Sequence, residues 1–335
     1  MPFYNIPNNS REFNNAFASE SVKERRRVID LTIYVNKLIE KGKLDDIEMK
    51  GSFLYYKNLV FVHTDKRNRG HAYYFYPTDT MKKPLRDRKR ITRKLLDNLL
   101  LYSYSRGTNS IFWEFFSKPG EIWVSGLSQA YALELFSHHK DFDEICEKIL
   151  NGFDVRWENG GVLDTKHSWY LEYPMYINPE EQDVRRVLNG HTEVLIMLYR
   201  YYAKTESIKA FSLFESGFEA LKKLLPKFIA EDGRSFYSYW QATNKDHRIR
   251  EKSYNPRYHH LHVSDLYRIY TITKDDTIKH YLDKMLEVEN PIEYYLMPYN
   301  VEIVEHRIPE TACPNCKGGC EGCKVTTKPI IGINE

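Results

Sequence analysis

The sequence predicts a mainly α-helical protein whose paired helices close into an (α/α) toroid or incomplete barrel. Four segments after residue 124 place apolar residues at helical spacing, and each is followed by a polar or glycine-bearing loop. Two aromatic and β-branched stretches precede them, and the helical pattern ends near Glu289 before a run of closely spaced cysteines. We therefore expect helical hairpins flanked by a small α+β N-terminal region and a Cys-rich C-terminal tail.

The N-terminal elements follow from local patterns. Residues 20–43 carry an apolar helical face opposite charges, and the stretches at 52–65 and 71–77 suggest a small antiparallel element around the turn at 66–70. Residues 82–94 contain eight Lys and Arg residues and lead into "LLDNLLLYSYS", which predicts a helix. The basic run could contact phosphates or acidic sugars, although the solvated face of a helix with Leu85, Ile91, Leu95 and Leu96 inward is favoured.

The downstream pattern defines the remaining elements. The helical segments are "SGLSQAYALELFSHH", "LNGHTEVLIMLYRYYAKT", "SIKAFSLFESGFEALKKLLPKF" and "HVSDLYRIYTITKDDTIKHYLDKMLE". In a hairpin array, loops and helix ends line one concave face. Three regions are expected: an N-terminal region at 1–110, a helical catalytic domain at 111–289 and an extension at 290–335.

Composition limits the function classes. The 335 residues are 42% hydrophobic and 28% charged, as in an ordinary globular protein, but they include 26 tyrosines. Phenols can stack on sugars or bases while hydrogen-bonding, and they can equally build an amphipathic core. A net charge of +3 is too small to indicate a polyanion partner by itself, so nucleic acid binding is unlikely.

Targeting signals are not evident in the sequence. The first residues are polar, and no run approaches ~18 consecutive apolar residues. We expect no signal peptide, no membrane span and a cytoplasmic location.

Four cysteines near the C-terminus form two CxxC pairs separated by three residues. Four thiolates suit tetrahedral zinc in a closed, structural site, and Lys317 and Lys324 would favour deprotonated thiols. The short spacing leaves open an iron–sulfur cluster, an intermolecular metal bridge or two local disulfides. The predicted ligands are Cys313, Cys316, Cys320 and Cys323.

The segment "KHSWYLEYP" concentrates polar aromatic and charged groups that no helical or strand period sorts into two faces. A second concentration, "YNPRYHHLHVSD", places Tyr258 beside Arg257, a cation that would ease phenolate formation. In the same segment, His259 and His262 are spaced as weak candidate metal ligands.

These segments carry a resemblance. "WVSGLSQAYAL", "KHSWYLEYP", "RVLNGHTEVLIMLY", "SGFEALKKLLPKF", "DGRSFYSY" and "YHHLHVSDL" occur in the order and nearly the spacing of the C-terminal domain of glucuronyl C5-epimerases, which act on heparan sulfate and heparosan. The resemblance covers residues 113–287, about half of the chain.

The resemblance implies roles for individual residues. The family's catalytic Glu-Tyr-Pro resembles Glu172, Tyr173 and Pro174, and its two further functional tyrosines resemble Tyr237 and Tyr258. The residues implied as substrate-binding are Lys166, His167, Trp169, Tyr170, Gln129, Asn189, Trp240, Arg257, His259 and His262.

The chain departs from the family where a carboxylate must be bound. Trp240 stands where the family has an arginine three residues after the second tyrosine, and the loop after Pro174 is longer. Arg248, Arg250 or Arg257 could replace that arginine.

The chemistry explains why these residue types matter. Inversion at C5 of a uronic acid removes a proton next to a carboxylate and returns one to the opposite face, so the site needs two proton-transfer groups and a charge partner. We expect Glu172 and Tyr173 at one face of the sugar, with Trp169 or Tyr170 stacked on it. Tyr258 would serve the other face, and Tyr237 would assist proton delivery.

The predicted function is C5-epimerisation of glucuronic acid residues in a heparosan-like or other uronic-acid polysaccharide. It needs no catalytic cofactor, and a homodimer is possible. A uronate polysaccharide lyase, an inactive glycan-binding protein and, least favoured, a nucleic-acid-associated protein are the alternatives.

Overall fold

The computed structural model describes thirteen stretches of the chain and the isolated pair 41–42. The stretches are residues 47–50, 53–56, 59–66, 70–74, 77–86, 91–100, 102–106, 109–118, 121–174, 177–178, 183–288, 301–307 and 327–333. Nearly all of the helix predicted at 20–43 and all four tail cysteines lie outside these residues.

The antiparallel element predicted before residue 77 is confirmed. Its four strands pair in sequence order, and the hairpin between the third and fourth strands spans the predicted turn. The strands are β1 (Ile47–Lys50), β2 (Phe53–Tyr56), β3 (Leu59–Lys66) and β4 (Gly70–Tyr74).

Two short helices and a three-stranded antiparallel sheet follow. The helix predicted from "LLDNLLLYSYS" is shorter than expected, because it ends at Leu100 and its last residues form a strand. The alternation of small and aromatic residues in "SYS" fits a strand better than a helix. The elements are α1 (Pro77–Arg86), α2 (Arg93–Leu100), β5 (Ser103–Arg106), β6 (Ser110–Lys118) and β7 (Glu121–Val124).

Helix α3 (Gly126–Phe136) packs against α1, α4 and α5. Every one of its residues is buried, and the polar Ser128, Gln129 and Glu134 bond to other protein groups. It turns through a short 3₁₀ segment, Lys140–Phe142, into the amphipathic helix α4 (Asp143–Phe153).

Two further helical hairpins share one type of turn with each other, in which the residue after the first helix is left-handed. Helices α5 (Leu188–Thr205) and α6 (Ile208–Phe228) are joined through Glu206, which has a left-handed φ of 59°. Helices α9 (Pro256–Thr273) and α10 (Asp276–Leu286) are joined through Lys274, with a φ of 54°.

In both turns the hydroxyl of the last threonine of the first helix accepts a hydrogen bond from the backbone amide of the residue that caps the next helix. Thr205 Oγ1 accepts from the Ser207 amide at 3.3 Å, and Thr273 Oγ1 accepts from the Asp275 amide at 3.3 Å. Ser207 and Asp275 then accept from the first-turn amides of α6 and α10. The repeated turn makes each helix pair antiparallel and compact.

The described helices form two layers. Helices α1, α3, α5 and α9 pack side by side in that order, with α4 against α3, α6 against α5 and α10 against α9. The prediction of a mainly helical fold built from paired helices is confirmed, whereas closure of this array into a toroid stays a prediction. The predicted boundary at residue 110 also stays a prediction, although β5 and β6 pair across it.

Short elements connect the layers. Two-stranded pairs are formed by β8 (Leu163–Asp164) with β9 (Trp169–Tyr170) and by β10 (Ile177–Asn178) with β11 (Asp183–Val184). The short helices α7 (Tyr239–Thr243) and α8 (His247–Ser253) precede α9, and β12 (Val301–Arg307) pairs with β13 (Thr327–Ile333) after α10. Among these described residues, no helix combines the length and apolar character needed to span a membrane.

His191 on α5 ties both layers to β9. Its Nδ1 accepts from the Tyr170 amide at 3.0 Å, so the proton lies on Nε2 and is donated to the Gly217 carbonyl at 2.9 Å. Burial lowers the pKa of His191 to about 3, so the ring is neutral. The Tyr170 hydroxyl donates to the Leu213 carbonyl at 2.7 Å, which fixes α6 at the same place.

Replacement of Gly217 by valine should destabilise the protein. A Cβ at this position would lie 2.6 Å from Leu195 Cδ2 and 2.8 Å from Tyr170 Cε2, so the helices must separate. We expect Gly217→Val to lower the free energy of unfolding by about 1–3 kcal/mol, measured by denaturant titration. The exposed neighbour Ser216→Val is the matched control, and equal effects of the two variants would contradict this packing.

Candidate active site

The backbone around Leu171 fixes the position of Glu172. The Leu171 amide donates to the Val162 carbonyl at 2.8 Å, and its carbonyl accepts from the Gly126 amide at the start of α3, also at 2.8 Å. This brings the Glu172 side chain onto the first turn of α5. A Cβ on Gly190 would lie 2.8 Å from Glu172 Oε2, so only glycine leaves room for the carboxyl group there.

The segment after β11 positions Tyr237. Residues 186–188 run antiparallel to residues 237–239: the Leu188 amide donates to the Tyr237 carbonyl at 3.0 Å, and the Tyr239 amide donates to the Arg186 carbonyl at 2.9 Å. Side chains alternate along extended backbone, so Arg185 and Arg186 point in opposite directions.

Arg186 forms a buried ion pair with Asp164. The guanidinium donates to Asp164 Oδ2 from Nε at 2.8 Å and from Nη2 at 2.7 Å, and the two side chains are only 1% and 4% exposed. Asp164 Oδ1 also accepts from the Lys166 amide at 3.1 Å. The pair therefore joins the β8–β9 hairpin to the segment that positions Tyr237.

Tyr258 is held at the start of α9. Asn255 caps this helix by accepting from the Arg257 amide at 3.0 Å, and Pro256 occupies the first turn, where its missing N–H costs nothing. His259 Nδ1 accepts from the Ser235 amide at 3.2 Å, and its Nε2 donates to the Met285 carbonyl at 3.2 Å. Ser235 Oγ also contacts His262 Nδ1 at 2.9 Å, so the histidines anchor the Tyr237 loop to α9.

The tyrosines of three separate segments converge on Glu172. Glu172 hydrogen-bonds to Tyr173 and Tyr237, and Tyr237 hydrogen-bonds to Tyr173. The Tyr237 and Tyr258 rings lie with centroids 4.3 Å apart, and the Tyr173 ring lies 6.3 Å from that of Trp123. We call Glu172, Tyr173, Tyr237 and Tyr258 the tyrosine–carboxyl cluster.

The cluster alters the acidity of its members. Burial raises the pKa of Glu172 to about 7, opposed by hydrogen bonds from Tyr173 and Tyr237 and by the charges of Arg185 and Lys82. Burial and the neighbouring Glu172 raise the pKa of Tyr237. At neutral pH, Glu172 is thus poised between its two protonation states while Tyr237 retains its proton.

Two buried oxygens beside the cluster are available to a ligand. Within the described part of the chain, Glu172 Oε2 and Asn189 Oδ1 have no hydrogen-bond partner. Asn189 and Gly190 are consecutive residues at the start of α5, so both oxygens border the same helix end. Buried acceptors of this kind are costly unless something donates to them, and the role of Asn189 in substrate binding stays a prediction.

Five residues predicted to bind substrate are buried and contact protein groups in this structure, and their roles in substrate binding stay predictions. Trp169 is 0% exposed because its ring stacks between His191 and Phe228, with centroids at 3.8 and 5.4 Å. The others also bind protein groups: Gln129 donates to the Ile111 carbonyl at 2.8 Å, and Tyr170, His259 and His262 make the contacts described above.

The remaining predicted contacts are nearer the surface. Lys166 and Arg257 are exposed, whereas His167 and Trp240 are half-buried. Their roles in substrate binding stay predictions.

Two cations of the site were missed. Arg185 lies in the loop that is longer than in the family, and its Cζ is 5.2 Å from the centroid of the Tyr237 ring. Lys82 was placed on a solvated helix face, which is wrong: it is half-buried, and its charge acts on Glu172 and Asp265. Arg93 of the same basic run is exposed as predicted and pairs with Asp97 at 3.1 Å. Neither cation belongs to a short motif that would have drawn attention to it.

No group of three or more His, Cys, Asp or Glu side chains in the described stretches could hold a metal ion. This includes His259 and His262, whose ring nitrogens bind Ser235 and Met285. The tail cysteines lie outside these stretches, so their zinc site stays a prediction, as do a homodimer and a cytoplasmic location.

Cys146 is buried on α4, and burial raises the pKa of its thiol to about 12.

The described residues thus combine helical hairpins with a buried carboxyl group among tyrosines. The sequence model described as "D-glucuronyl C5-epimerase C-terminus" matches residues 103–287, more than half of the chain. The chain belongs to this family.

One curated relative is itself uncharacterized. The chain is 29% identical over 174 residues to the uncharacterized protein MJ1128 of Methanocaldococcus jannaschii, an alignment that covers 49% of this chain and 52% of the relative. The chain thus spans about half the length of that relative.

Loss of Arg186 should destabilise the fold through Asp164. Arg186→Met would leave a buried carboxylate without its charge partner, at a cost of about 3–5 kcal/mol in the free energy of unfolding. Denaturant unfolding checks this, with Arg248→Met as the control because the Arg248 side chain is 89% exposed. Equal stability of the two variants would show that the ion pair does not hold the site together.

The raised pKa of Glu172 should appear in the pH dependence of stability. A carboxyl that binds its proton more tightly in the folded state favours folding at low pH, and this advantage is lost as pH rises from about 4.5 to above 7. At about 1.4 kcal/mol per pKa unit, wild type should lose about 3 kcal/mol relative to Glu172→Gln over this range. Unfolding of both proteins across pH measures the difference. The pKa of Asp265 is also raised by burial, but its contribution cancels because both proteins contain it. A difference that does not fall with pH contradicts the assignment.

Proposed function

We propose that this protein inverts C5 of glucuronic acid residues in a heparosan-like or related uronic-acid polysaccharide. Membership of the epimerase family supports an activity on carbohydrate. The observation that carries the specific reaction is the convergence of Glu172, Tyr173 and Tyr237 in one hydrogen-bonded group, with Tyr258 against Tyr237 at 4.3 Å.

Glu172 is the proposed base at the first face. Its pKa of about 7 makes it a much stronger base than an ordinary carboxylate, and an ionised fraction persists at neutral pH. Removal of the C5 proton leaves an enolate whose carboxylate oxygens carry the displaced electron pair. Preorganised hydrogen-bond donors and cations around those oxygens lower the energy of this intermediate.

Tyr258 is the proposed acid at the second face. A phenol, with an ordinary pKa near 10, is a suitable proton donor to a carbanion and a poor base at neutral pH. Delivery of its proton to C5 from the opposite side completes the inversion and leaves a phenolate on Tyr258 and a protonated Glu172.

Tyr237 is the proposed connection that resets the site. It hydrogen-bonds to Glu172 and packs its ring on Tyr258, so it borders both proton-transfer groups. A proton passed from Glu172 through this region, or exchanged with water, restores the starting protonation states. Its raised pKa keeps the hydroxyl protonated and able to donate.

Deuterium incorporation tests the reaction. Heparosan incubated with the protein in heavy water should gain deuterium at C5, detected by NMR, without new unsaturated ends. Tyr258→Phe should lower the formation of C5-inverted residues, read from the same NMR spectra, by about 100-fold or more, because it removes the proton donor at the second face. Tyr267→Phe removes a hydroxyl from the same helix and serves as the control.

Other results identify other functions. Rising ultraviolet absorbance from a 4,5-unsaturated product would indicate a lyase. Binding of heparosan without any exchange by wild type would indicate a glycan-binding protein. Full inversion at C5 by Tyr258→Phe would remove Tyr258 from the mechanism.

A further inference from the structure

We infer that Arg185, assisted by Lys82, binds the uronate carboxylate in place of the arginine that Trp240 replaces. This inference rests on the proposed function for the identity of the ligand. It identifies which cations of the same site bind the carboxylate of that ligand. Neither cation lies at the position of the family arginine, and Lys82 precedes the region matched by the family, residues 103–287.

The first step is the placement of Arg185 at the tyrosine–carboxyl cluster. Its guanidinium carbon lies 5.2 Å from the Tyr237 ring centroid, and its charge acts on both Glu172 and Tyr237. The adjacent Arg186 is fixed by the buried Asp164 pair, so the backbone that carries Arg185 is held in place. A guanidinium on a fixed backbone can bind a carboxylate with two parallel hydrogen bonds.

The second step is the approach of Lys82 from another element. Helix α1 lies along α3: Thr78 Oγ1 contacts Ser128 Oγ at 2.6 Å, and one turn later Lys82 Nζ lies 5.3 Å from the Tyr131 ring centroid. From there its charge acts on Glu172 and also on the buried Asp265 of α9. Two elements thus direct positive charge at one carboxyl group.

The third step is the charge balance on binding. A uronate brings a second negative group next to Glu172, and like charges at close range oppose each other unless cations intervene. Asp265 does not use up the charge of Lys82, because the Asp265 carboxyl already receives hydrogen bonds from Thr192 and Arg268. Arg185 and Lys82 are therefore suited to accept the substrate carboxylate and the additional charge of the enolate.

The arginines considered from sequence are less suitable. Arg248 is 89% exposed and near Asp246, and Arg257 is exposed on the first turn of α9. Half-buried Arg250 lies on the short helix α8, whereas Arg185 Cζ lies 5.2 Å from the centroid of the Tyr237 ring. Exposed charges are screened by water and contribute little to binding.

A paired-ligand binding experiment tests the inference. Calorimetry would compare a heparosan oligosaccharide with the same oligosaccharide after its carboxyl groups are reduced to alcohols. Wild type should prefer the uronate form, and Arg185→Gln should lose about 10- to 100-fold of that preference without weaker binding of the reduced form. Lys82→Gln should lose a smaller part, Arg185→Lys should retain some, and Arg248→Gln should behave as wild type.

A measurement without ligand provides a second check. Because Arg185 lowers the pKa of Glu172, Arg185→Gln should raise the midpoint of the Glu172 carboxyl titration followed by carbon NMR, whereas Arg248→Gln should not. Thermal unfolding of each variant identifies any loss of fold. An unchanged midpoint in a folded Arg185→Gln protein would overturn the placement of its charge.

The outcomes separate this inference from the proposed reaction. If wild type prefers the uronate through Arg185 but gives no deuterium exchange, the carboxylate site stands and the epimerase proposal falls. If exchange occurs and Arg185→Gln keeps the full preference for uronate, the reaction stands and this assignment falls. Failure of wild type to distinguish or bind the two oligosaccharides overturns the carboxylate site.

Discussion

The buried ion pair between Arg186 and Asp164 is the contact on which the geometry of the site depends. It joins two chain segments that meet only through folding, and both charges are almost fully removed from water. Such a pair adds little net stability over apolar residues, but breaking it leaves an uncompensated charge in the interior. Its main effect is therefore on geometry, because it fixes where the chain after β11 meets the β8–β9 hairpin.

The backbone next to that pair positions several residues of the site. Arg185 precedes Arg186 directly, and the Arg186 carbonyl accepts from Tyr239, two residues beyond Tyr237. Glu172 follows β9, the partner strand of β8, which contains Asp164. The neutral histidines His191 and His259 complete the framework by binding backbone groups of other elements. The framework thus combines one paired charge with hydrogen-bonded imidazole rings.

The sequence predicted the helix pairs well because their apolar spacing is a local property. The convergence of Glu172, Tyr173, Tyr237 and Tyr258 was also predictable, since three separate segments matched one family in order. The packing of their neighbours was not predictable. Trp169, Tyr170, His259 and His262 stand beside the proposed catalytic residues in the chain, but adjacent residues on extended or helical backbone face different surroundings. A motif marks a segment and does not tell which of its side chains face the ligand.

The cations were hidden for a different reason. Arg185 lies in a loop with no period, next to an arginine of the same type that serves the core. Lys82 lies in a run of eight basic residues whose others include solvated side chains such as Arg93. Only the tertiary contacts of α1 with α3 and of residues 186–188 with residues 237–239 separate these two from their neighbours. Long-range packing of this kind leaves no mark in local spacing.

The position of Arg185, directly after β11, suggests how such domains could diversify. The groups that would move protons sit on loops and helix ends anchored in the core, whereas half-buried Arg185 directly follows β11. Substitution of Arg185 would remove or replace the guanidinium, while the Arg186–Asp164 pair keeps this backbone, Glu172 and the phenols where they are. One scaffold could then adapt to glycans with a different number or spacing of acidic groups, because selectivity and reactivity are encoded in separable pieces of polypeptide.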